Sequence, residues 1–366
     1  MIIPTITYQS SVAPSELIEQ LTQWSLFGQV ATKGVVPADC ESLEYIVKRV
    51  GGLVDLSIEL TPFDEPVALA LLNAGATSIL SADSDQDFGD VPDDRIRFTI
   101  TNDSPDEAVP NGYLVSLAQP TAERIGELEM ARIDSLIDAE LLTADLITDF
   151  FKTVLVSDRP DELWSTVIVD PLGTALGLAY SNYESLHHAI ENRVGTYWSR
   201  SRGGLWIKGE TSGATQQLIN VRMDCDRDCL RFMVTQDPPG FCHRNTHSCF
   251  GAERTIVSVM QRLASRINET DEKSFTRKLA NDAQMLETKL LEEAKELSQA
   301  SQEDDDYEIA WEAADVLYFS LVAMLKNGVT LERVHQELAR RMNRVVRRKN
   351  KLENPIENPE RNPESN

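Results

Sequence analysis

The stretch QQLINVRMDCDRDCLRFMVTQ, residues 216–236, places two apolar runs on either side of an acidic, cysteine-bearing centre. Flanks rich in Leu, Ile, Val, Phe and Met predict two strands around that centre. On an extended segment Asp224, Asp226 and Asp228 share one face and Cys225 points to the other. Three adjacent carboxylates repel one another unless a hard cation lies between them, and Mg²⁺ or Ca²⁺ takes oxygen ligands of this kind. Cys225, Cys242 and Cys249 would make a thiolate site of the type that holds zinc and keeps one position open for water. His243 and His247 are candidates for a general base or a further ligand. Spacing alone leaves a metal site and a solvated acidic loop equally open. A nucleoside deaminase would also use zinc with thiolates, but its HxE and PCxxC elements are missing.

Upstream, WSTVIVDPLGTALGLAY (164–180) pairs two apolar runs across Pro171-Leu172-Gly173, a hairpin signal, and a helix is expected from Tyr183 to Glu191. Residues 160–254 thus read as a β-rich α+β domain. Residues 1–155 carry IVKRVGGLVDLSIEL, VALALLNAGATSIL and DRIRFTI, read as helix-strand-helix-strand-strand, an α/β pattern. No glycine-rich phosphate loop or HExxH occurs there, so this zone is expected to be a structural or interaction domain, or a degenerate enzyme domain. Residues 255–352 read as all-helical, broken at INETDEKS and SQASQEDDDYE. The tail 353–366, rich in Pro, Asn and Glu, is expected to be disordered.

The chain has 366 residues, enough for two or three domains, and a formal net charge of −24. That charge argues against nucleic acid as a partner but not against small phosphorylated substrates. The start, MIIPTITYQSSVAPSEL, has neither the basic nor the apolar region of a secretory signal. No run is long enough for a membrane span; Val316–Leu325 fits a buried helix better. Four of the five cysteines fall between 225 and 249, unlike a disulfide framework, so a cytoplasmic metal site is expected. Cys40 and Cys229 are read as packing residues.

YWSRSRGGLWIKGETSG (197–213), MDCDRDCL (223–230) and FCHRNTHSCF (241–250) resemble, in order, the signatures of phosphoribosyl-AMP cyclohydrolase. The resemblance implies zinc on Cys225, Cys242 and Cys249, shared across a homodimer, and magnesium on Asp224, Asp226 and Asp228. It implies hydrolytic opening of the adenine ring between N1 and C6, with His243 moving protons. Arg200, Ser201, Arg202, Lys208, Thr211 and Ser212 are candidates for substrate contacts, since fixed cations and hydroxyls suit phosphate. Arg202 has a structural role as an open alternative, and Trp198 and Trp206 are read as core.

In the third zone Leu286, Leu290, Ala294 and Leu297 recur at helical spacing. Glu293 falls within that stripe, and Glu292 and Glu296 lie along its flank. Glu312 and Asp315 lie one turn apart in the mostly apolar EIAWEAADVLYFSLVAML. Inward acids on two helices form a natural Mg²⁺ cage, whereas surface acids on a bundle are the bland alternative. SFTRKLAND (274–282), KLLEEAKEL (289–297), EAADVLYF (312–319) and ELARR (337–341) resemble phosphoribosyl-ATP pyrophosphohydrolase, an all-α enzyme related to the MazG group. That implies Mg²⁺ on Glu292, Glu293, Glu296, Glu312 and Asp315, Glu293 as a catalytic group, and Lys278, Lys289 and Arg341 holding phosphates. The domain order resembles the bifunctional histidine-biosynthesis proteins, and the long N-terminal extension resembles the fungal multifunctional form. No histidinol dehydrogenase domain is expected after these two. A nucleotide-pool pyrophosphatase with a zinc-binding accessory domain is the rival enzyme reading, and a metal-stabilised scaffold the non-enzymatic one.

Overall fold

A computed structural model of the protein describes residues 1–103, 109–251, 255–268, 273–303 and 305–345. The tail 353–366 lies outside the described residues. The architecture is multidomain: an α/β barrel, a β-rich middle and a helical C-terminal region.

The first region alternates β1 (Ile2–Thr7), α1 (Pro14–Gln23), β2 (Gln29–Val35), α2 (Cys40–Val50), β3 (Asp55–Leu60), α3 (Glu65–Ala74) and β4 (Ser78–Ser81). It continues through β5 (Ile96–Thr101), β6 (Leu114–Leu117), α4 (Ala122–Met130), β7 (Ser135–Asp138) and α5 (Ala144–Val154). The α/β pattern expected over 46–100 is therefore present as α2, β3, α3, β4 and β5. All pairings are parallel, and β7 returns to β1 with Leu136 opposite Ile3, closing a seven-stranded barrel. Local signals set the helix starts: the Asp64 side chain accepts from Val67 N at α3, and Thr143 accepts from Leu146 N at α5. Ile3, Ala31, Leu80, Leu114 and Leu136 fill the barrel, while the outward strand faces pack under the helices.

At the barrel floor Arg97 Nη2 donates to Asp134 Oδ2 at 2.7 Å, and Asp134 Oδ1 accepts from the Met1 ammonium at 2.9 Å. Burial pushes the Asp134 carboxyl up, but the ammonium and Arg97 outweigh it and hold the carboxyl below its ordinary value. A depressed folded pKa contributes stability above the unfolded value, and that stability is lost as pH falls through the folded one. Asp134→Asn is expected to cost about 1.5–3 kcal/mol at neutral pH, the range for charge-assisted hydrogen bonds. Denaturant midpoints should differ most near pH 7 and converge in acid; a difference independent of pH would contradict the assignment.

The middle region contains β8 (Trp164–Val169), β9 (Ala175–Ser181), α6 (Tyr183–Asn192), β10 (Thr196–Ser199), β11 (Gly204–Ile207), β12 (Gln216–Met223) and β13 (Cys229–Gln236). β8 and β9 form the expected hairpin, and β13 adds parallel to β8, giving the order β12-β13-β8-β9. The expected helix after the hairpin is α6, started by a reciprocal capping box between Asn182 and Ser185. One apolar core runs from Phe27, Phe150 and Phe151 of the barrel region into Trp164, Ile168, Leu186, Tyr197 and Phe232 of this sheet. Asn220 Nδ2 also donates to the Ser25 carbonyl, so the two regions are joined by packing and by a buried hydrogen bond.

The third region comprises α7 (Ile256–Asn268), α8 (Phe275–Asn281), α9 (Ala283–Glu303), α10 (Asp306–Lys326) and α11 (Leu331–Met342). Leu263, Leu279, Leu286, Phe319, Leu321 and Val322 form its core. Residues 298–303, expected as part of a polar break, continue α9. Asp305 caps α10 through Tyr307 N and Glu308 N, so the turn between the two helices is short. α11 touches this core at Leu331 but ends on the barrel. Arg340 is buried there, its Nη1 donating to the Ala74 carbonyl at 2.7 Å. Asn343 Nδ2 donates to the Gly75 carbonyl, and Arg95 Nη1 to the Asn343 carbonyl. A Cβ at Gly52 would overlap the Gln336 carbonyl and one at Gly75 the Arg340 side chain, so glycine permits this close approach.

Candidate metal centres

Residues 224–228 are a turn between β12 and β13, not the extended segment expected from their alternation. Asp224 Oδ1 accepts from Asp228 N and Cys229 N, and Arg227 takes a φ of +66°. The chain curls around the Asp224 carboxylate, so Asp224, Asp226 and Asp228 still offer oxygens within 4.8 Å of one another. The Asp226 charge, first, and then burial and the Asp224 charge push the Asp228 carboxyl up. Mutual repulsion of this kind is relieved by a bound cation. Cys225 is exposed on the same turn.

Cys242 and Cys249 lie on the loop after β13, close enough for each thiol to shift the pKa of the other. The Arg244 amide, first among several donors, lowers the Cys242 pKa, and Cys242 Sγ lies 4.0 Å from His243 Nδ1. Burial pushes the Cys249 thiol up. Lys208, buried beside this pair, donates to the Ala214 carbonyl; burial lowers its pKa against the opposing charge of the thiols. Among the described residues Cys225 does not join Cys242 and Cys249 in one cluster.

The thiol loop is laced to the β8–β9 hairpin. The Asp170 carboxylate is buried; Oδ1 accepts from Leu172 N and Thr174 N, and Oδ2 meets His247 Nε2 at 3.2 Å. Ser248 Oγ donates to the Ala175 carbonyl and Cys249 N to the Leu176 carbonyl at 2.8 Å. Asp170 and Ser248 were not among the residues singled out from sequence. Asp-Pro-Leu-Gly signals a turn, but its second use as an anchor for His247 depends on chain 77 residues away.

On the helices, Glu293 of α9 is buried, with 8% of its surface exposed, and takes the place in the stripe that Ala294 was expected to fill. Ala294 is exposed; Leu286, Glu293 and Ala300, seven residues apart, are the buried positions. Oxygens of Glu293, Glu296 and Glu312 lie within 4.8 Å of one another. Burial first, then the charges of Glu296 and Asp315, raise the pKa of both Glu293 and Glu312. Glu312 Oε2 is a buried oxygen with no hydrogen-bond partner. An orphaned acceptor among crowded carboxylates fits a divalent cation. Glu292 is exposed and bound by Lys289 Nζ at 2.7 Å.

Arg200, Ser201 and Arg202 are exposed on the β10–β11 turn; Arg200 lies 3.9 Å over the Tyr180 ring, and Arg202 Nε donates to Ser199 Oγ. Thr211 and Ser212 are exposed on the following loop. Trp206 packs between Tyr197 and Phe241, as a core residue would. Lys278 is exposed on α8, whereas Arg341 pairs with Glu337 beside the barrel.

Comparison with known proteins matches two family profiles to the regions that hold these centres. The sequence profile of phosphoribosyl-AMP cyclohydrolase matches residues 177–251, and that of phosphoribosyl-ATP pyrophosphohydrolase matches residues 257–342. A histidine biosynthesis bifunctional protein from Nostoc is 37% identical over 180 residues, covering 46% of this chain and 83% of that protein. The chain belongs to this bifunctional family. A histidine biosynthesis trifunctional protein from Saccharomyces cerevisiae is 34% identical over 348 residues, covering 91% of this chain and 41% of the relative. A bifunctional protein from Schizosaccharomyces pombe is 36% identical over 245 residues, 65% of this chain and 58% of that one. The chain spans about two fifths of the length of the trifunctional relatives from Saccharomyces cerevisiae and Kluyveromyces lactis, and the resemblance to these takes in the barrel. The acid turn and thiol loop fall within the family's cyclohydrolase match, and the helical carboxylates within its pyrophosphohydrolase match. No helix among the described residues is long and apolar enough to cross a membrane.

Proposed function

We propose that the chain carries out two successive hydrolyses of histidine biosynthesis. The helical region cleaves phosphoribosyl-ATP to phosphoribosyl-AMP and diphosphate, and the middle region then opens the adenine ring between N1 and C6. The observation that carries this reading is the presence of two separate clusters of crowded metal-type donors, one within each matched region. Bound Mg²⁺ neutralises phosphate charge, and bound Zn²⁺ makes water acidic near neutral pH.

In the helical centre Glu293, Glu296 and Glu312 would be the inner Mg²⁺ ligands, with Asp315 and Glu292 at the edge. Glu293, buried and with a raised pKa, is suited to accept a proton from the attacking water. Lys289, held by Glu292, and exposed Lys278 would contact the phosphates, whereas Arg341 is paired with Glu337 beside the barrel. In the middle region Cys242 and Cys249, with Cys225 of a second copy, would hold zinc. Asp224, Asp226 and Asp228 would hold magnesium. His243, exposed beside Cys242, would move protons, while Arg200, Ser201, Arg202, Thr211 and Ser212 orient the phosphoribosyl groups. Lys208, buried against the thiol pair, would act from beneath the ring site.

A homodimer follows from this assignment, since Cys225 stands apart from the other two thiols within one chain. Exposed Tyr307 and Trp311, whose rings lie 6.2 Å apart on α10, supply an apolar surface for the same partner. The cytoplasm is the location we propose for these reactions. Turnover of phosphoribosyl-ATP by the purified chain, with Mg²⁺ and Zn²⁺ present, tests the proposal: diphosphate release should precede the absorbance change of ring opening. Ring opening without prior diphosphate release, or neither reaction, would defeat it.

A narrower expectation concerns the clasp between Asp170 and His247. His247→Ala should weaken Zn²⁺ binding by about 10–100-fold, the usual cost of losing an outer positioning contact. Competition against a chromophoric chelator reads this directly. His247→Gln, which keeps an N–H donor, should recover most of the affinity, and unchanged binding in His247→Ala would remove the clasp from the site.

A further inference from the structure

Outside the two metal centres, a cleft of about 400 Å³ lies where α11 meets the end of α2. Lys48 and Arg49 line it from the barrel, and Arg333, Gln336, Glu337 and Arg341 from α11. Four cations thus face one carboxylate in a chain whose formal net charge is −24. Glu337 is already committed: its oxygens accept from Arg340 Nε and Nη2 and from Arg341 Nε, each at 2.7 Å, and these contacts hold its pKa down at about 2. Lys48 shares Glu44 at 2.8 Å. Arg49 lies 3.4 Å over the Tyr45 ring, and Arg333 has the neutral Gln336 amide at 3.4 Å. The cleft therefore keeps an excess of positive charge.

Each side supplies two of the four cations, so the site exists only while α11 is docked. The docking is built in: Gly52 gives room for the Gln336 carbonyl, and buried Arg340 is tied to Ala74. Guanidinium forks match phosphate oxygens in pairs, and a surface cleft lined by one sign of charge raises the local concentration of the opposite sign. We propose that this cleft binds a small anion carrying a di- or triphosphate group, and that the bound anion cross-braces the barrel and α11. The site is separate from the carboxylate cluster. None of Glu293, Glu296 and Glu312 lines the cleft, and the carboxylate partner of Arg341 is Glu337.

Calorimetry of the full-length protein with inorganic diphosphate, in Mg²⁺-free buffer so that no Mg²⁺ bridges the carboxylates, tests the proposal. Wild type and Glu293→Gln should bind alike, with affinity falling as salt rises. Lys48→Glu/Arg333→Glu should weaken binding at least about tenfold, since each lost charge-assisted contact is worth that much or more. Hydrogen exchange across α11 should slow when diphosphate is added to wild type and not to the double variant. Lys48→Gln/Arg333→Gln serves if charge reversal disturbs the far-ultraviolet spectrum. ATP in place of diphosphate separates a nucleotide occupant from the bare anion: tighter ATP binding, lost in the same variant, keeps the site and names its ligand. No diphosphate or ATP binding by wild type, undiminished binding in both double variants, or loss of binding in Glu293→Gln would overturn the proposal.

Discussion

Glu293→Gln is expected to abolish diphosphate release from phosphoribosyl-ATP, by about 10²–10³-fold in kcat, while ring opening of supplied phosphoribosyl-AMP continues at the wild-type rate. Glutamine keeps the size of the side chain but removes its charge and its capacity to take a proton. Loss of a single preorganised electrostatic group in a catalytic site typically costs this much. The split between activities follows from the architecture, because Glu293 lies in the α9–α10 pair and the thiol loop is anchored to β8 and β9. The substitution also removes one of three carboxylates crowded within 4.8 Å of one another, so the fold should not weaken. Stopped assays with each substrate, beside a melting curve, check the expectation. Loss of both activities in a folded variant would mean that the two centres are not independent.

Cys242→Ala should have the converse effect. Zn²⁺ binding and ring opening should fall by about 10³-fold or more, since metal assistance is worth several kcal/mol and each 1.36 kcal/mol is tenfold. Diphosphate release should persist. Cys242 is buried and accepts from the Arg244 amide, so a modest fall in melting temperature is expected as well. Metal content of the purified variant separates the catalytic reading from the scaffold reading. A variant that has lost zinc and melts earlier yet still opens the ring would make the zinc structural.

The element pattern was legible wherever it rests on local signals. Pro171-Leu172-Gly173 marks a turn, Asn182 and Ser185 cap a helix, and alternating apolar runs around Gly75 give a helix followed by a strand. The acids of α9 and α10 were legible for the same reason, because helical spacing alone places Glu293 in an apolar stripe. Ala294 misled because a small apolar residue satisfies the same spacing and still tolerates exposure, whereas the buried positions follow Leu286, Glu293 and Ala300.

What the sequence by itself determined about the Asp224–Cys249 region was the inventory of donors and the two strands that carry them. Tertiary structure decided how those donors meet. Asp224, Asp226 and Asp228 converge through a turn wound on Asp224, not through strand alternation. His247 is aimed by Asp170 from a distant hairpin, and Cys225 is left apart from the other two thiols. Barrel closure pairs Ile3 with Leu136, and α11 carries Arg341 into a cleft with Lys48 and Arg49. Periodicity and capping act within a few residues, so they are written locally. Closure and docking depend on contacts between chain segments far apart, whose favourable energy appears only once the intervening loops have been ordered.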